Sequence, residues 1–219
     1  CYTLDLQQRL ARPKEAGFSK QEQETLAQRL RGLTNRIIHP QDGLWRSDAE
    51  RLDTLHLRRE KLLSSNVDNL ERIYWLLEDS KRYGTLPFAG LARAGFIAVQ
   101  LLKSILAVGV FSQSDYDSFL AGLTTVNGQM AYDRATLEKS NFMARYGHLR
   151  PGTYDILSPR YDESPDLYFD WSENQFVPEV STTFDLTQTQ MRELVNHLNA
   201  HELETDPSGL VDFIKSGIE

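Results

Sequence analysis

The chain has 219 residues, of which 40% are hydrophobic and 10% are aromatic, and its formal net charge is −7. This length suffices for one large domain or two small ones, and the aromatic content excludes a disordered chain. The acidic charge disfavours nucleic acid and anionic membranes as partners, because phosphate contacts need clustered Lys and Arg.

The cysteine usage and the ends of the chain suggest where it belongs. Cys1 is the sole cysteine, so a disulfide framework is excluded and a reducing compartment such as the cytoplasm fits. We see no charged-then-apolar leader. The sequence starts at Cys rather than Met and ends directly after an apolar helical stretch, so we expect a fragment of a longer cytoplasmic protein.

Two helices are predicted in the N-terminal part of the chain. Ser19 followed by Glu22 forms a capping-box pattern, and apolar residues then recur at helical spacing up to Ile37. Pro40 ends this run. Ser47, with an acid three residues later, is predicted to cap the next helix.

The next two helices are predicted from a longer apolar region. Apolar residues recur from Val67 to Leu77, which predicts a third helix with Gly84 at its C′ position. Pro87 fits the first turn of a fourth helix, which Gly109 ends. The alanines and glycines of this fourth helix permit close approach of neighbouring helices.

Residues 86–108 form the most apolar stretch and have to be tested as a membrane span. Arg93 and Lys103 lie inside this stretch. Each charge near the centre of a membrane helix costs about 2.5–3.5 kcal/mol on insertion scales. We therefore predict a buried core helix.

The residue composition of the chain changes after the next helical region. Ser112 with Asp115 predicts a capped fifth helix that reaches Tyr146 with a break, where Gly147 fits a C′ position. Prolines and clustered aromatic residues follow up to about residue 185, which favours an ordered but irregular segment. A short strand at residues 154–157 or 175–180 is compatible with this pattern. Thr187, with Gln190 three residues later, predicts the first of two C-terminal helices.

The predicted fold is mainly α. We expect a multi-helix bundle over residues 1–146, followed over residues 147–219 by the irregular segment and two C-terminal helices. Because the C-terminal helices are amphipathic, we expect them to pack on the same core, so that both parts form one structural domain.

Several catalytic signatures are absent from the sequence. There is no glycine-rich phosphate loop and no Gly-x-Ser-x-Gly elbow, and the terminal cysteine is a poor nucleophile candidate. His197 and His201 stand one helical turn apart and could form a metal pair with nearby acids. They lack the glutamate of the zinc-protease motif, so solvated histidines at a helix end are the alternative, and we predict no metal site.

Residues 146–163 are the best candidate for a binding site. His148, Arg150, Asp155 and Arg160 stand there among glycines and prolines. Glycine lets a backbone approach a ligand, Arg forks onto carboxylate or phosphate, and His can donate a proton near neutral pH. The alternative is a structural loop in which Arg150 or Arg160 pairs with Asp155.

The sequences YGHLRPGTYDI at 146–156 and SPRYDE at 158–163 resemble a segment of phosphoenolpyruvate synthase and pyruvate, phosphate dikinase-like enzymes. Rifampin phosphotransferases share this segment, which lies between their nucleotide-binding module and their mobile phosphohistidine module. Residues 88–104 and 115–133 resemble the helices before it, so the resemblance covers about residues 70–165. Leu149, Arg150 and Thr153 depart from the family pattern, which has Arg, Gly and Glu there.

The resemblance implies a place in a phosphate relay. In the family, ATP phosphorylates a histidine on the swivelling module, which passes the phosphate to an acceptor. This chain has neither the nucleotide module nor the phosphohistidine loop, so the resemblance implies a central acceptor-binding or linker domain that is inactive alone. ATP and Mg²⁺ are expected only for the full-length enzyme, and the expected partners are its other two modules and a small-molecule acceptor. His148, Arg150, Asp155 and Arg160 are the substrate-binding candidates.

Two other interpretations stay open. The chain could be a stand-alone helical protein-interaction module, which predicts an exposed apolar patch. It could also be a small metal-dependent enzyme that uses His197 and His201.

Overall fold

The computed structural model describes residues 1–11, 15–152, 155, 157–171 and 184–219. These residues form helices and no strand, which confirms the predicted mainly α fold. The first helices are α1 (Leu6–Arg9), α2 (Lys20–Ile38), α3 (Leu44–Leu63), α4 (Asn69–Asp79) and α5 (Leu86–Ala107), with a π-helical turn at Ser80–Thr85. The later helices are α6 (Gln113–Ala121), α7 (Val126–Thr136), α8 (Lys139–Tyr146), α9 (Pro165–Tyr168), α10 (Gln188–Ala200) and α11 (Pro207–Ile218).

Three of the predicted helix starts are confirmed by their caps. Ser19 and Thr187 each form a reciprocal capping box with the side chain three residues later, at the starts of α2 and α10. Before α6, the Ser112 hydroxyl accepts a hydrogen bond from the Asp115 amide at 3.1 Å, and the Asp115 carboxylate accepts one from the Ser112 amide at 2.9 Å. Each cap satisfies amides that have no partner within the helix.

The predicted start of α3 at Ser47 is wrong. The helix begins at Leu44 with Gly43 as its N-cap. A Cβ atom at Gly43 would lie 2.5 Å from the carbonyl oxygen of Ile37 and 2.7 Å from that of His39. The tight turn after α2 therefore places the helix start at the glycine, and Ser47 falls in the first turn.

The predicted break at Gly84 is also wrong. Helices α4 and α5 form one continuous helix from Asn69 to Ala107, and Gly84 lies within the π-helical turn that joins them. Pro87 has no amide hydrogen, so an α-helix here would lack one hydrogen bond to the preceding turn. A π-helical turn inserts a residue into the ladder just before this point and lets the helix continue.

The end of α5 follows the prediction. Gly109 has φ +82°, a left-handed backbone conformation that glycine adopts more easily than residues with a side chain. Its amide bonds to the Leu106 carbonyl at 3.0 Å, and the Val110 amide bonds to the Ile105 carbonyl at 3.2 Å. These are the two hydrogen bonds of a Schellman motif.

Among the described residues, the helix from Asn69 to Ala107 is the one long and apolar enough to cross a membrane by length and composition. Its most apolar window has a mean hydropathy of 1.4, and 33% of that window is buried within the chain. A core helix of a soluble protein can have the same length and composition.

The chain divides into two compact units. The first unit contains residues Cys1–Leu120 and Phe184–Ile218, and the second contains residues Ala121–Thr183 and Glu219. The division predicted after residue 146 does not coincide with these limits. The C-terminal helices α10 and α11 belong to the first unit, because their apolar faces are buried in its core.

Helix α5 lies at the centre of the first unit. The core around it consists of fully or almost fully buried side chains of α5, α10 and α11: Ala98, Leu101, Leu102, Ile105, Leu194, Leu198, Leu210, Phe213 and Ile214. The residues before α1 are attached to this core by two hydrogen bonds. The Tyr2 amide donates to the Thr34 hydroxyl at 2.9 Å, and the Leu4 amide donates to the Ser104 hydroxyl at 3.3 Å.

Helices α5 and α11 cross at small residues, as the alanines and glycines of α5 suggest. A Cβ atom at Gly95 would lie 2.8 Å from the carbonyl oxygen of Gly217, and one at Gly217 would lie 2.8 Å from the Cβ atom of Ala98. Neither glycine can carry a side chain without moving the two helices apart.

The apolar face that predicts α4 does not face the core. Leu70 is 80% exposed, and Ile73, Tyr74 and Leu77 are all more than half exposed. The side of α4 that turns towards α3 carries Asp79, which is buried and accepts a hydrogen bond from Arg58. Helical periodicity therefore predicts α4 correctly but not the direction of its apolar face.

Gly95→Val tests the α5–α11 crossing. We expect the free energy of unfolding to fall by about 1–3 kcal/mol, because the added side chain overpacks a contact between two backbones. Chemical denaturation followed by circular dichroism measures this change. Gly32→Ala is the control: its added Cβ meets nothing within 4 Å, and we expect a gain of about 0.5–1 kcal/mol. A neutral Gly95→Val variant would contradict the close crossing.

Candidate functional site

A buried carboxylate lies next to the start of the candidate segment. Asp133 on α7 is 4% exposed, and its carboxylate accepts hydrogen bonds from the Tyr146 hydroxyl, the Arg145 guanidinium and the Gln129 amide, each at 2.7 Å. These contacts join α7 to the end of α8, where the candidate segment begins.

The electrostatics of this network follow from its geometry. The hydrogen bond from Tyr146 is the main cause that holds the pKa of Asp133 below its usual range, with Gln129 and Arg145 adding to it. Burial raises the pKa of the Tyr146 hydroxyl, and the neighbouring carboxylate raises it further. The arrangement therefore stabilises a charged Asp133 and a neutral Tyr146 at neutral pH.

The candidate segment closes on itself directly after α8. The Tyr161 amide donates to the Leu149 carbonyl and the Asp162 amide to the Gly147 carbonyl, both at 3.0 Å. Residues 147–149 and 161–162 therefore lie side by side as the two ends of a surface loop.

The predicted role of Gly147 is wrong. Its φ of −56° is an ordinary helical value rather than a left-handed one. A Cβ atom at this position would lie 2.9 Å from the Cβ atom of Asp162 and would also strike the carbonyl oxygen of Met143. Glycine is needed because the returning end of the loop passes against the end of α8.

The two arginines of the segment are engaged within the loop. Arg160 forks onto Asp162 at 2.9 and 2.7 Å, and its amide donates to Glu163 at 2.7 Å. Arg150 donates to the carbonyl oxygen of Ser158, and its guanidinium lies 4.0 Å from the carboxylate of Glu163. Glu163 is therefore the carboxylate that both arginines approach.

Arg160 does not pair with the residue that the structural-loop alternative names. That alternative pairs an arginine with Asp155, whereas Arg160 uses Asp162, and the ion pair raises the pKa of the guanidinium. Both side chains are more than a third exposed, so we expect this pair to stabilise the loop only weakly.

The other two candidate residues face solvent. Asp155 is exposed, and its carboxylate accepts a hydrogen bond from the Leu157 amide at 3.0 Å. His148 is exposed and makes no hydrogen bond or ion pair within the described part of the chain. The structure thus brings Arg150 and Arg160 to a common carboxylate, Glu163, which neither His148 nor Asp155 contacts.

Aromatic rings fill the space beside this loop. Phe142 of α8 is fully buried, and its ring centroid lies 5.2 Å from that of Phe169 and 5.8 Å from that of Trp171. The guanidinium of Arg134 lies 4.1 Å from the centroid of Trp171, and the ammonium of Lys139 lies 5.0 Å from it. Such contacts order an irregular segment without a sheet or a long helix.

The strands compatible with the sequence fall mostly outside the described residues. Residues 175–180 lie there entirely, and of residues 154–157 the structure describes only Asp155 and Leu157. Neither of these two is in a strand.

The histidine pair of α10 lies in the first unit. The rings of His197 and His201 are stacked, with centroids 6.2 Å apart, and Nδ1 of His201 lies 3.1 Å from the Tyr2 hydroxyl. Burial is the main cause that lowers the pKa of His201, and His197 adds to it. Among the described residues, no group of three or more His, Cys, Asp or Glu side chains could hold a metal ion.

Comparisons of this chain with protein-family profiles, with curated proteins and with solved structures find no match. The resemblance of residues 146–163 to the phosphoenolpyruvate-utilising enzymes therefore remains a prediction.

Sequence reasoning missed Asp133 as the anchor of this region. A single acid on an amphipathic helix is normally solvated, and nothing in the local pattern pairs it with Tyr146 and Arg145. The burial of Asp133 becomes visible only when α7 and α8 are placed side by side.

Tyr146→Phe tests this anchor. Removing the hydroxyl leaves Asp133 without one of its hydrogen bonds, so we expect the free energy of unfolding to fall by about 1–2 kcal/mol. Tyr132→Phe is the matched control, because Tyr132 lies on the same helix as Asp133 and is 36% exposed. We expect that control to change stability by less than about 0.5 kcal/mol. Equal effects of the two variants would contradict an anchoring role.

The effect of Tyr146→Phe should depend on pH. The folded-state pKa of Asp133 lies below its ordinary value of 3.8. The carboxylate therefore contributes stability above that value and loses it as the pH falls through the lowered pKa. We expect the difference between wild type and Tyr146→Phe to be constant at neutral pH and to shrink below about pH 4. Urea denaturation over this range measures it, and a difference that grows towards acid would contradict the assignment.

Proposed function

We propose that this chain is the central acceptor-binding or linker domain of a cytoplasmic, multidomain phosphoenolpyruvate synthase-like phosphotransferase. In that enzyme, phosphate passes from ATP through a histidine on another module to an acceptor. The sequence of residues 146–163 carries the proposal. ATP and Mg²⁺ belong to the nucleotide-binding module, so the chain described here is inactive by itself.

The geometry of the loop supports a docking role. Its two ends are joined by backbone hydrogen bonds, and it begins at the buried Asp133–Tyr146 anchor. These hydrogen bonds hold the two ends of the loop together, and His148 and Asp155 are exposed to solvent.

Direct capture of an anionic acceptor by the loop has a cost. Asp162 and Glu163 already compensate Arg160, and Glu163 also approaches Arg150. A phosphate or carboxylate would have to displace these carboxylates before the arginines could bind it. Within the proposal, contact with another module is therefore favoured over acceptor binding for these residues.

A stand-alone protein-interaction module is the second candidate function. The observation that favours it is the exposed apolar face of α4, since this interpretation predicts an exposed apolar patch. The two candidates predict different flanking regions for this chain in its parent protein. The relay requires a nucleotide-binding region on one side and a phosphohistidine region on the other, whereas the module requires neither.

Phosphate transfer in the full-length parent protein tests the relay. We expect [γ-³²P]ATP or [β-³²P]ATP to label a histidine outside this chain, and His148→Ala to slow the onward transfer about tenfold without reducing that labelling. Leu167→Ala is the control, because Leu167 is 67% exposed on α9 and lies outside the loop. Unchanged transfer in His148→Ala would contradict a role for the loop, and a parent without both flanking regions would refute the relay itself.

A further inference from the structure

A groove lies between helices α3 and α4 of the first unit. It encloses about 270 Å³, and its walls include Arg58, Lys61 and Leu62 of α3 and Glu71, Trp75 and Asp79 of α4. Pockets for drug-sized ligands measure about 300–1,000 Å³, so this groove has the size for a smaller molecule. Apolar walls with a few charged groups are the usual composition of such sites.

The contact between Arg58 and Asp79 fixes the register of the two helices. Nε of Arg58 donates to the Asp79 carboxylate at 2.8 Å, and Asp79 is 5% exposed. The short connection at residues 64–68 turns the chain back, so α3 and α4 run in opposite directions. At 1.5 Å per residue, Lys61 lies about 4.5 Å from this contact along the groove, and Glu71 lies about 12 Å from it.

The middle of the groove is apolar. Trp75 lies about 6 Å from the Arg58–Asp79 contact along α4, and its side chain is 37% exposed. Leu62 and Val67 line the groove with it and are partly buried. An apolar ligand body that covers Trp75 would remove apolar surface from water, which favours binding.

The end of the groove at Arg58 carries a net positive charge. Two cations line this end, and the Asp79 carboxylate compensates one of them, Arg58. Lys61 is the other cation, which is exposed and makes no ion pair within the described part of the chain. Its ammonium is therefore available to an anionic group of a ligand.

The opposite end of the groove carries a net negative charge. Glu71 and Asp68 are exposed there, and neither has an ion pair among the described residues. Arg72 lies at the same end, where its guanidinium donates to the carbonyl oxygens of Ser65 and Val67, each at 3.4 Å. The Asp68 carboxylate accepts a hydrogen bond from the Glu71 amide at 2.9 Å. The carboxylate of Glu71 is therefore the acceptor left for a cationic group of a ligand.

We propose that this groove binds a small zwitterion with an apolar body, an apolar dipeptide with free ends, whose carboxylate meets Lys61 and whose ammonium meets Glu71. These two residues are about 7.5 Å apart along the groove. A single α-amino acid carries both charges on one carbon, so its charged groups are too close together. An extended chain spans about 3.3–3.6 Å per residue, so a dipeptide covers about 7 Å. The inference does not depend on the phosphate relay.

Titration of the full chain with L-leucyl-L-leucine is the first test. We expect isothermal titration calorimetry to give a Kd of about 0.1–1 mM, as for other small ligands with few polar contacts. N-acetyl-L-leucyl-L-leucine lacks the ammonium and L-leucyl-L-leucinamide lacks the carboxylate. Each of these blocked peptides should bind about tenfold more weakly, because one end of the groove then has no charged partner.

Two variants test which end of the dipeptide each residue meets. Lys61→Met and Glu71→Gln should each raise the Kd for L-leucyl-L-leucine about tenfold. Glu71→Gln should have no further effect on the acetylated peptide, because the ammonium that it would lose is already absent. Lys61→Met should still weaken binding of that peptide about tenfold.

Lys103→Met and Glu193→Gln are the matched controls. Both residues are exposed, lie in the first unit and do not line the groove. The Kd of each control for L-leucyl-L-leucine should equal that of the wild type, and circular dichroism confirms that every variant is folded.

Three outcomes would overturn the proposal. The chain could fail to bind L-leucyl-L-leucine at concentrations up to about 10 mM, which would exclude this class of ligand. The acetylated peptide could bind as tightly as the free one, which would exclude a contact between Glu71 and the ammonium. The control variants could also weaken binding as much as the groove variants do, which would place the peptide elsewhere on the chain.

Discussion

Helix α5 can lie close against α11 because each helix carries a glycine where their backbones meet. The backbones at Gly95 and Gly217 are so close that a single Cβ atom on either would meet the other helix at 2.8 Å. This approach fixes α5 at the centre of the first unit, where Ala98, Leu101, Leu102 and Ile105 of its second half are buried. The rest of that unit, including the C-terminal helices, is arranged around this one contact.

The same placement of α5 explains why the apolar face of α4 is exposed. Helix α4 continues into α5 through the π-helical turn, so the direction of α5 also sets the direction of α4. The side of α4 that meets α3 holds Asp79 and its partner Arg58, and the apolar side is turned outwards. A continuous helix cannot rotate one half independently of the other, so the apolar face of α4 stays exposed within the first unit.

In the second unit, the two helices α7 and α8 are joined by a buried charge instead of by a contact between glycines. Asp133 accepts hydrogen bonds from Tyr146, Arg145 and Gln129. These bonds fix the end of α8, where the loop begins. The aromatic rings around Phe142 then hold the irregular chain that follows. The two ends of the loop are joined by backbone hydrogen bonds beside this anchor, which is compatible with the docking role that the proposed phosphate relay requires of residues 146–163.

Local sequence patterns are enough to predict the helical fold, the caps at Ser19, Ser112 and Thr187, and the end of α5 at Gly109. These features depend on contacts between residues close in the chain, and local patterns report them. The partner of Arg160, the burial of Asp133, the need for glycine at Gly147 and the outward face of α4 become visible only in the folded chain. Each of these depends on which distant segment comes to lie beside the residue, and periodicity contains no information about that neighbour.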